Sequence, residues 1–325
     1  MEREQVAALL IQAGDCISGE EMSRTLGVTR AAVWKEIDAM RQEGWPIQSS
    51  TRRGYRLEGP PPALSAPYIS ALLPQGNQFK GKVQVEPLVD STNTRLKALA
   101  AAGAPTGTAL LAEEQSAGRG THGRSFQSPK GDGLYLSVLL RPRLVQLQDL
   151  LTLTGWVAVA VRDGVEAACG APARVKWLND IYLNGRKLCG ILTELSFVGE
   201  SAEPDYVVVG MGINMKQTRE TFRAQGLENI AVSLAGEGWP VEQNHLAVCL
   251  LEALDRMIRE FPDHQAEWLE VYRRNCITVD RRVSFEWEGQ ERTGTACGIS
   301  DRFALQIHGD DGNSYTISSG TVRML

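Results

Sequence analysis

Residues 173–195, ARVKWLNDIYLNGRKLCGILTEL, organise the rest of the chain. Two apolar, β-prone runs flank Asn184 and Gly185, a pair that readily adopts the positive φ angles of a two-residue turn, so the stretch predicts a β-hairpin. Charges beside a turn are ordinary, but charges further along core-like strands need partners. We therefore interpret the hairpin as the wall of a polar site, with a solvated edge strand as the alternative. The polar residues concerned are Lys176, Asn179, Asp180, Arg186 and Lys187.

Length and composition point to an ordinary globular protein. The 325 residues suffice for two or three domains, and 43% hydrophobic and 22% charged residues are typical of that class. A net charge of −5 provides no global attraction to nucleic acid, so any DNA contact must be local. We find no signal peptide and no membrane-spanning run. The six cysteines are scattered without a C-x-x-C pair, so we expect a cytoplasmic protein with reduced thiols and no structural zinc.

Residues 1–60 have the pattern of a winged helix-turn-helix DNA-binding domain. Ser18 and Glu21 have capping-box spacing, and Thr29 can cap a second helix after the turn at Gly27. Residues 46–57 alternate like a β-hairpin wing. The candidate DNA-facing residues are Thr29, Arg30, Lys35, Arg52, Arg53 and Arg56. Acidic residues slightly outnumber basic ones here, which favours a protein-interaction domain, but the clustering of the cations favours DNA.

A proline-rich linker at 59–62 separates this unit from two further domains. Residues 64–274 predict a catalytic α/β domain with a mixed sheet, including a helix at 94–102 capped by residues 90–93 and one long buried helix at 149–169. Residues 215–240 look irregular. Residues 275–325 alternate in short strands and predict an SH3-like β-barrel. The predicted fold class is therefore multidomain α/β, or α+β.

Three further motifs have both a functional and a purely structural interpretation. Residues 118–124, GRGTHGR, combine three glycines with two arginines and suit an anion such as phosphate, although plain surface turns also have this composition. The motif lacks the ending of a Walker A loop. Residues 90–93, DSTN, could cap a helix without any ligand, or could hydrogen-bond a small polar one. Gly210 and Gly212 suit a tight turn or a flat floor beneath a ring.

In combination and order, these motifs resemble those of the biotin protein ligases. The series is DSTN, QxxGRG, VKWxND, RKLxGIL and GxGxN, and the flanking domains match the bifunctional form that also represses the biotin operon. The resemblance implies that ATP, Mg²⁺ and biotin form biotinyl-5′-AMP, from which biotin passes to a lysine of the biotin carboxyl carrier protein of acetyl-CoA carboxylase. It also implies that the chain loaded with biotinyl-AMP is a homodimer that binds biotin operator DNA.

The resemblance also assigns roles to individual residues. The implied catalytic residues are Lys187, Arg119, Arg124 and Lys176, with Lys187 at the biotin carboxylate. The implied biotin-binding residues are Ser91, Thr92, Asn93, Gln115, Gly118, Arg119, Gly120, Lys187, Gly210 and Gly212. The implied nucleotide-binding residues are Arg119, Thr121, Arg124, Lys176, Asn179, Asp180 and Asn214, with Asp180 as the Mg²⁺ ligand. We expect Asn93 and Asn214 to act first as structural supports.

The chain departs from the family pattern at several positions. Thr121 replaces an arginine that helps to retain the adenylate, so the resemblance implies faster release of biotinyl-AMP unless His122 or another cation compensates. Phe126 replaces a common tryptophan, and Leu178 a common proline. Two other functions stay open: a transcription regulator whose central domain only senses a small acid, and a ligase for another acid such as lipoate. The phosphate-binding cations argue against the first, and the order of the motifs argues against the second.

Overall fold

The computed structural model describes residues 3–50, 53–141, 146–197 and 204–325. In these ranges the strands form three sheets of two, seven and five strands, which lie in the predicted N-terminal, central and C-terminal units respectively. None of the helices in these ranges combines the length and the apolar character needed to cross a membrane.

The N-terminal unit has the predicted helices and wing. Ser18 Oγ accepts a hydrogen bond from the amide of Glu21 at 3.0 Å, and Thr29 Oγ1 accepts one from Ala32 at 3.2 Å, so both predicted N-caps are confirmed. The elements are α1 (Arg3–Ala13), α2 (Gly19–Leu26), α3 (Arg30–Gln42), β1 (Ile47–Ser50) and β2 (Gly54–Leu57). The two strands pair antiparallel.

The central unit is a mixed seven-stranded sheet with helices packed on it, as the sequence predicts. Its strand order is β3-β4-β5-β9-β8-β7-β6, with only the β3–β4 pair parallel. The strands are β3 (Val83–Glu86), β4 (Ala109–Ala112), β5 (Gly133–Leu140), β6 (Arg174–Lys176), β7 (Asp180–Leu183), β8 (Arg186–Phe197) and β9 (Pro204–Asn214). The helices are α4 (Ala66–Leu72), α5 (Thr92–Ala101), α6 (Leu147–Leu150), α7 (Leu153–Cys169), α8 (Arg219–Ala224), α9 (Gln243–Glu260) and α10 (Gln265–Asn275).

The predicted β-hairpin around Asn184 and Gly185 is confirmed. Asn184 and Gly185 have φ angles of 49° and 77°, and β7 and β8 pair antiparallel on either side of them. Two other predictions were wrong. The expected helix at 149–169 is two helices, because Thr152 turns its hydroxyl to the carbonyl of Asp149 at 2.7 Å and interrupts the first turn. Residues 215–240 are not irregular throughout, since they contain α8.

The C-terminal unit is one antiparallel sheet. Its strands are β10 (Arg282–Trp287), β11 (Gln290–Ile299), β12 (Leu305–Gly309), β13 (Ser314–Ile317) and β14 (Val322–Met324), in the order β13-β12-β11-β10-β14. Closure into an SH3-like barrel stays a prediction. The buried side chains of Phe285 and Phe303 belong to the same hydrophobic core as the central sheet, so the two units pack tightly together.

One buried carboxamide holds the linker between the N-terminal and central units. Asn244, near the start of α9, is fully buried and donates from Nδ2 to the carbonyls of Pro61 and Ala63 at 3.2 and 3.1 Å. Its Oδ1 accepts the amide of Ser65 at 2.8 Å. These contacts satisfy backbone groups of the linker and fix where the chain enters α4.

Candidate active site

A neutral hydrogen-bonding region surrounds the start of α5. Ser91 is the N-cap residue of this helix, but its side chain makes no capping bond, which corrects the expectation that residues 90–93 cap through their side chains. Thr92 and Asn93 lie in the first turn, two residues earlier than predicted. Ser91 is 97% buried, and its hydroxyl has no hydrogen-bond partner among the described residues. A buried hydroxyl without a partner is available to a ligand.

The carboxamide of Gln115 is held in a single orientation. Its Oε1 accepts from the backbone amide of Thr92 at 2.8 Å, and its Nε2 donates to the hydroxyl of Ser128 at 2.7 Å. Ser128 in turn donates to the carbonyl of Phe126 at 3.1 Å. Because the backbone amide of Thr92 can only donate, Gln115 Oε1 must face it, and Nε2 then faces the Ser128 hydroxyl.

Asn93 supports the site from below. Its Nδ2 donates to Glu194 Oε2 at 2.8 Å and to the carbonyl of Leu192 at 3.3 Å, while its Oδ1 lies 2.6 Å from the Ser137 hydroxyl. A Cβ at Gly210 would lie 2.1 Å from Asn93 Oδ1, which explains the glycine at that position. The geometry agrees with the expectation that Asn93 is first a structural support.

The glycine-rich loop folds as a small hairpin. Phe126 donates its amide to the carbonyl of Gly118 at 2.8 Å, and Gly120 donates to that of Arg124 at 2.7 Å. A Cβ at Gly118 would lie 2.3 Å from the Phe126 carbonyl, so only glycine fits there. The side chains of Arg119 and Arg124 are exposed and form no ion pair or hydrogen bond within the described part of the chain.

An ion pair lies in the middle of the charged hairpin. Lys187 Nζ is 2.6 Å from Asp180 Oδ1, and both side chains are largely shielded from solvent. A bulge opposite Ile181 and Tyr182 shifts the register of β7 and β8 just beside Lys187. A Cβ at Gly190 would lie 3.2 Å from Lys187 Nζ, so the glycine leaves room for the lysine side chain.

Lys176 is held by the C-terminal unit. Its Nζ donates to the carbonyl of Val322, on β14, at 3.1 Å. Burial lowers the pKa of Lys176, Asp180 opposes that shift, and the positive charges of Lys187 and Arg124 add to it. The adjacent Asn179 lies nearer the sheet and donates its amide to the carbonyl of Ile191 at 2.6 Å.

Two adjoining cavities meet at Lys187 and Phe126. The first has a volume of about 50 Å³ and is lined by both polar and apolar groups. Its lining residues are Ser91, Thr92, Asn93, Gln115, Arg119, Gly120, Thr121, Phe126, Asn179, Lys187, Gly190, Ile191, Leu192, Gly210, Met211 and Gly212. The second has a volume of about 440 Å³, lies between the glycine-rich loop and α8, and includes Asn214, Gln217 and Phe222. Eleven predicted site residues therefore line the first cavity, and Lys187 and Asn214 line the second.

Several residues around these cavities escaped sequence reasoning. Phe126 lies between the two cavities, and a Cβ at Gly212 would lie 2.5 Å from the Phe126 ring. In the sequence, Phe126 is notable only as a departure from the family pattern. Glu194 contacts the site only through its hydrogen bond with Asn93, and no motif in the sequence marks it as a site residue. Phe222 and Gln217 lie in the segment that looked irregular. Asn214 bonds to the carbonyl of Val232 at 3.2 Å and to Gln217, as expected of a structural support.

The described part of the chain contains no cluster of side chains that would hold a metal ion by itself. No group of three or more His, Cys, Asp or Glu side chains there could hold a metal ion. Asp180 alone suits Mg²⁺ that is mainly bound by nucleotide phosphates, because such ions use one or two carboxylates. The six cysteines are free, and burial raises the pKa of the Cys189 thiol, as expected for a packed, inert side chain.

The candidate DNA-binding face is charged unevenly. Arg30 and Lys35 on α3 are exposed and form no ion pair with the described residues, whereas Arg53 on the wing pairs with Asp15 at 2.6 Å. Trp34, missed in the sequence, lies between the two free cations with 58% of its surface exposed. Three predicted residues remain. Thr29 caps α3, and the guanidinium of Arg56 lies 4.0 Å from Asp15. Arg52 is outside the described residues.

Fold, cavities and sequence comparison define one class of protein: the chain belongs to the biotin/lipoate A/B protein ligase family. Residues 85–214 match the model of that family, and residues 2–56 match an HTH domain.

Particular relatives match nearly the whole length of the chain. The bifunctional ligase/repressor BirA of Bacillus subtilis (strain 168) is 36% identical over 314 residues, or 95% of each chain. The protein of the same name from Escherichia coli (strain K12) is 33% identical over 306 residues, which cover 93% of this chain and 91% of that relative. Among solved structures, biotin protein ligase from Aquifex aeolicus in complex with biotin and ATP has a TM-score of 0.64 at 28% identity, covering 75% of this chain and 100% of that one.

Proposed function

We propose that the chain is a biotin protein ligase and a biotin-responsive transcriptional repressor. It would form biotinyl-5′-AMP from biotin and ATP, and transfer biotin to a lysine of the biotin carboxyl carrier protein of acetyl-CoA carboxylase. The observation that carries the proposal is the position of Lys187, where a small cavity lined by neutral hydrogen-bonding side chains meets a larger one. A carboxylate leaving the first cavity and a phosphate leaving the second would both meet this ammonium group.

The first step joins two anions. An oxygen of the biotin carboxylate attacks the α-phosphorus of ATP, the bond from that phosphorus to the bridging oxygen breaks, and pyrophosphate leaves. Lys187 reduces the repulsion between the two groups and stabilises the charge that develops, with Lys176 and the free arginines of the loop near the phosphates. Mg²⁺ bound to the phosphates would supply further charge stabilisation, and Asp180 is the carboxylate placed to hold it.

The second step releases the activated acid. The amine of the carrier lysine attacks the acyl carbon of the adenylate, the bond to the phosphate oxygen breaks, AMP leaves and the amine loses a proton. Ser91, Thr92 and Gln115 would bind the ureido ring, and the backbone of Gly118 and Arg119 would complete its hydrogen bonds. The ring itself takes no part in the chemistry, so a rigid neutral pocket serves to position the carboxylate at Lys187.

For the repressor activity, the HTH match and the free cations on α3 provide support. We propose that the chain loaded with biotinyl-AMP forms a homodimer and binds biotin operator DNA. Arg30 and Lys35 would contact phosphates, with further contacts from the wing residues Arg52, Arg53 and Arg56. The ion pair of Arg53 with Asp15 must open or share its charge with a phosphate.

Exchange of radioactive pyrophosphate into ATP tests the enzymatic proposal. With Mg²⁺, the wild-type chain should catalyse exchange only when biotin is present, and excess lipoate should not compete. Lys187→Ala should reduce exchange by at least about 100-fold, the usual cost of removing one charge-stabilising donor. A regulator that only senses biotin would bind it without exchange, and a lipoate ligase would exchange with lipoate instead. Lys80→Ala, on the far side of α4, is a matched control.

A further inference from the structure

A continuous chain of side-chain hydrogen bonds runs beneath the first cavity. Lys97 on α5 forms an ion pair with Glu194 on β8 at 2.8 Å, and Glu194 accepts the amide of Asn93 at 2.8 Å. Asn93 Oδ1 lies 2.6 Å from the Ser137 hydroxyl, which lies 2.7 Å from the hydroxyl of Thr92. The chain thus links a charged group at the back of the sheet to a residue that faces the cavity.

Each end of this chain allows only one direction for the hydrogens. Burial raises the pKa of the Glu194 carboxyl, but the hydrogen bonds from Lys97 and Asn93 outweigh it and hold the pKa below its ordinary value. The carboxylate, and the Leu192 carbonyl at the longer distance of 3.3 Å, can only accept, so Asn93 turns its Nδ2 towards them and its Oδ1 towards Ser137. At the other end, the backbone amide of Thr92 can only donate, which turns Gln115 Oε1 towards Thr92.

The directions of the hydrogen bonds made by the Ser137 and Thr92 hydroxyls follow, because each hydroxyl has a single hydrogen to donate. Ser137 has one hydrogen and must give it to Asn93 Oδ1, which can only accept. The 2.7 Å contact between Ser137 and Thr92 therefore needs the hydrogen of Thr92. The alternative acceptor for that hydrogen, Gln115 Oε1, is further away at 3.1 Å and already holds the Thr92 amide. Thr92 consequently keeps both lone pairs of its hydroxyl oxygen free.

We propose that Glu194 is a positioning residue that sets the hydrogen-bond direction of this chain, so that Thr92 offers the cavity an acceptor. Its complement is an N–H donor held in a ring, such as either N–H of a cyclic urea. The inference deepens the proposed biotin ligase function and depends on it. Glu194 itself does not touch the ligand, because Asn93, Ser137 and Thr92 lie between them.

The same helix offers a matched comparison for a purely structural role. Arg95, two residues before Lys97, pairs with Glu86 on β3 at 2.8 Å. Both carboxylates lie on strands and hold a cation of α5, but Glu86 is not connected to the chain beneath the cavity. If anchoring α5 were the whole function of Glu194, the two pairs would have similar effects on ligand binding.

The test measures biotin binding by isothermal titration calorimetry without ATP, for wild type, Glu194→Gln, Lys97→Met and Glu86→Gln. The introduced amide can donate as well as accept, which lets Asn93 and the hydroxyls reverse. Glu194→Gln should therefore weaken biotin binding by about 10-fold, the usual effect of one misdirected buried hydrogen bond. Lys97→Met and Glu86→Gln should stay within about 2-fold of wild type, because both keep an acceptor at Glu194. The KM for ATP should not change in any variant.

A second ligand distinguishes a change in hydrogen-bond direction from a general loss of order in the binding site. Biotin methylated on a ureido nitrogen lacks the donor, so wild type should bind it more weakly than biotin, and Glu194→Gln should reduce that discrimination. Equal biotin affinity in wild type and Glu194→Gln, or equal losses in all three variants, would overturn the inference. If Glu194→Gln does not fold, Ser137→Ala interrupts the same chain, and unchanged biotin affinity in that variant would overturn it too. A wild-type chain that binds no biotin would instead refute the proposed function.

Discussion

Two halves of the candidate site are built on opposite principles. The floor, formed by Ser91, Thr92, Asn93, Gln115 and Ser137, is neutral and largely buried, and all of its side chains except the free hydroxyl of Ser91 are already hydrogen-bonded. The rim consists of charged side chains, namely Arg119, Arg124, Lys176, Asp180 and Lys187. Of these, Lys187 is neutralised by Asp180 and Lys176 is held by a carbonyl, so part of the rim must exchange partners before it can bind an anion.

The difference follows from what each half would bind. A neutral ring gains affinity when its partners are already in place, because no side chain has to be ordered on binding. A partly buried cation is costly without a counter-charge, and Asp180 supplies one to Lys187. The floor should therefore control affinity for biotin, and the rim should control the nucleotide and the chemistry.

The largest effect should come from Asp180→Asn. Losing the carboxylate removes the proposed Mg²⁺ ligand and the counter-charge of Lys187, so kcat/KM for ATP should fall by roughly 100-fold. Biotin affinity should be unchanged or tighter, since Lys187 is freed for the carboxylate. Pyrophosphate exchange gives the first quantity and calorimetry the second. Asp163→Asn, which removes a carboxylate paired with Arg256 away from the cavities, is the control. A large loss of biotin affinity would show that the two halves are not separate.

The converse change is Thr92→Val, which keeps the shape of the side chain and removes its hydroxyl. Ser137 loses a partner and the cavity loses an acceptor, so the Kd for biotin should rise by about 10-fold to 100-fold. The KM for ATP should stay within about 2-fold of wild type, because the rim is untouched. Thr154→Val, on the opposite face of the sheet, is the control. A parallel rise in the KM for ATP would contradict the proposed division.

Thr121→Arg tests whether the rim of this chain retains its adenylate poorly. Thr121 lines the first cavity but carries no charge, so an arginine there should add a charge-assisted bond and slow the release of biotinyl-AMP by about 10-fold. Release can be followed by trapping labelled adenylate after a chase with unlabelled biotin. Gln84→Arg, on the edge strand β3, controls for the added charge. If wild type already releases the adenylate as slowly as the variant, the rim has another means of retention.

The smallest effect should appear in the pH profile. Burial lowers the pKa of Lys176 below its ordinary value of 10.5, so its charge is lost as the pH rises through that lowered pKa. We therefore expect kcat/KM for ATP to fall on the alkaline side, and Lys176→Arg to shift the fall to higher pH. Lys82→Arg, which changes another lysine bonded to a carbonyl, should leave the profile unchanged. Identical profiles for all three proteins would exclude Lys176 as the titrating group.

The sequence predicted those features that depend on local chemistry. Asn184 and Gly185 identified the hairpin, and Ser18 and Thr29 identified the helix starts, because turns and caps depend on a few adjacent residues. The ordered motifs also predicted most of the residues that line the first cavity. Some of the predicted glycines are restricted by neighbouring protein atoms, since a Cβ would meet the carbonyl of Phe126 at Gly118 and the side chain of Asn93 at Gly210.

Long-range contacts could not be predicted in this way. The contact of Lys176 with Val322 joins residues 146 positions apart, and that of Asn93 with Glu194 joins residues 101 positions apart. No local pattern encodes such pairings. The capping prediction for residues 90–93 was wrong in part for a related reason, because the side chains of Thr92 and Asn93 bond to the sheet beneath them. The hydroxyl of Ser91, at the N-cap itself, has no partner among the described residues.

The carboxamide of Asn244 decides where this protein can be cut and rejoined. Its partners Pro61, Ala63 and Ser65 precede α4, so the proline-rich segment belongs to the ligase half and not to the DNA-binding half. A chimera that joins a foreign DNA-binding module before residue 60 keeps all three contacts. A junction at residue 66 leaves a buried amide without these partners, at a cost of about 1–3 kcal/mol for each group left unpaired. The DNA-binding module that can be exchanged therefore ends before the proline-rich segment that begins at residue 60.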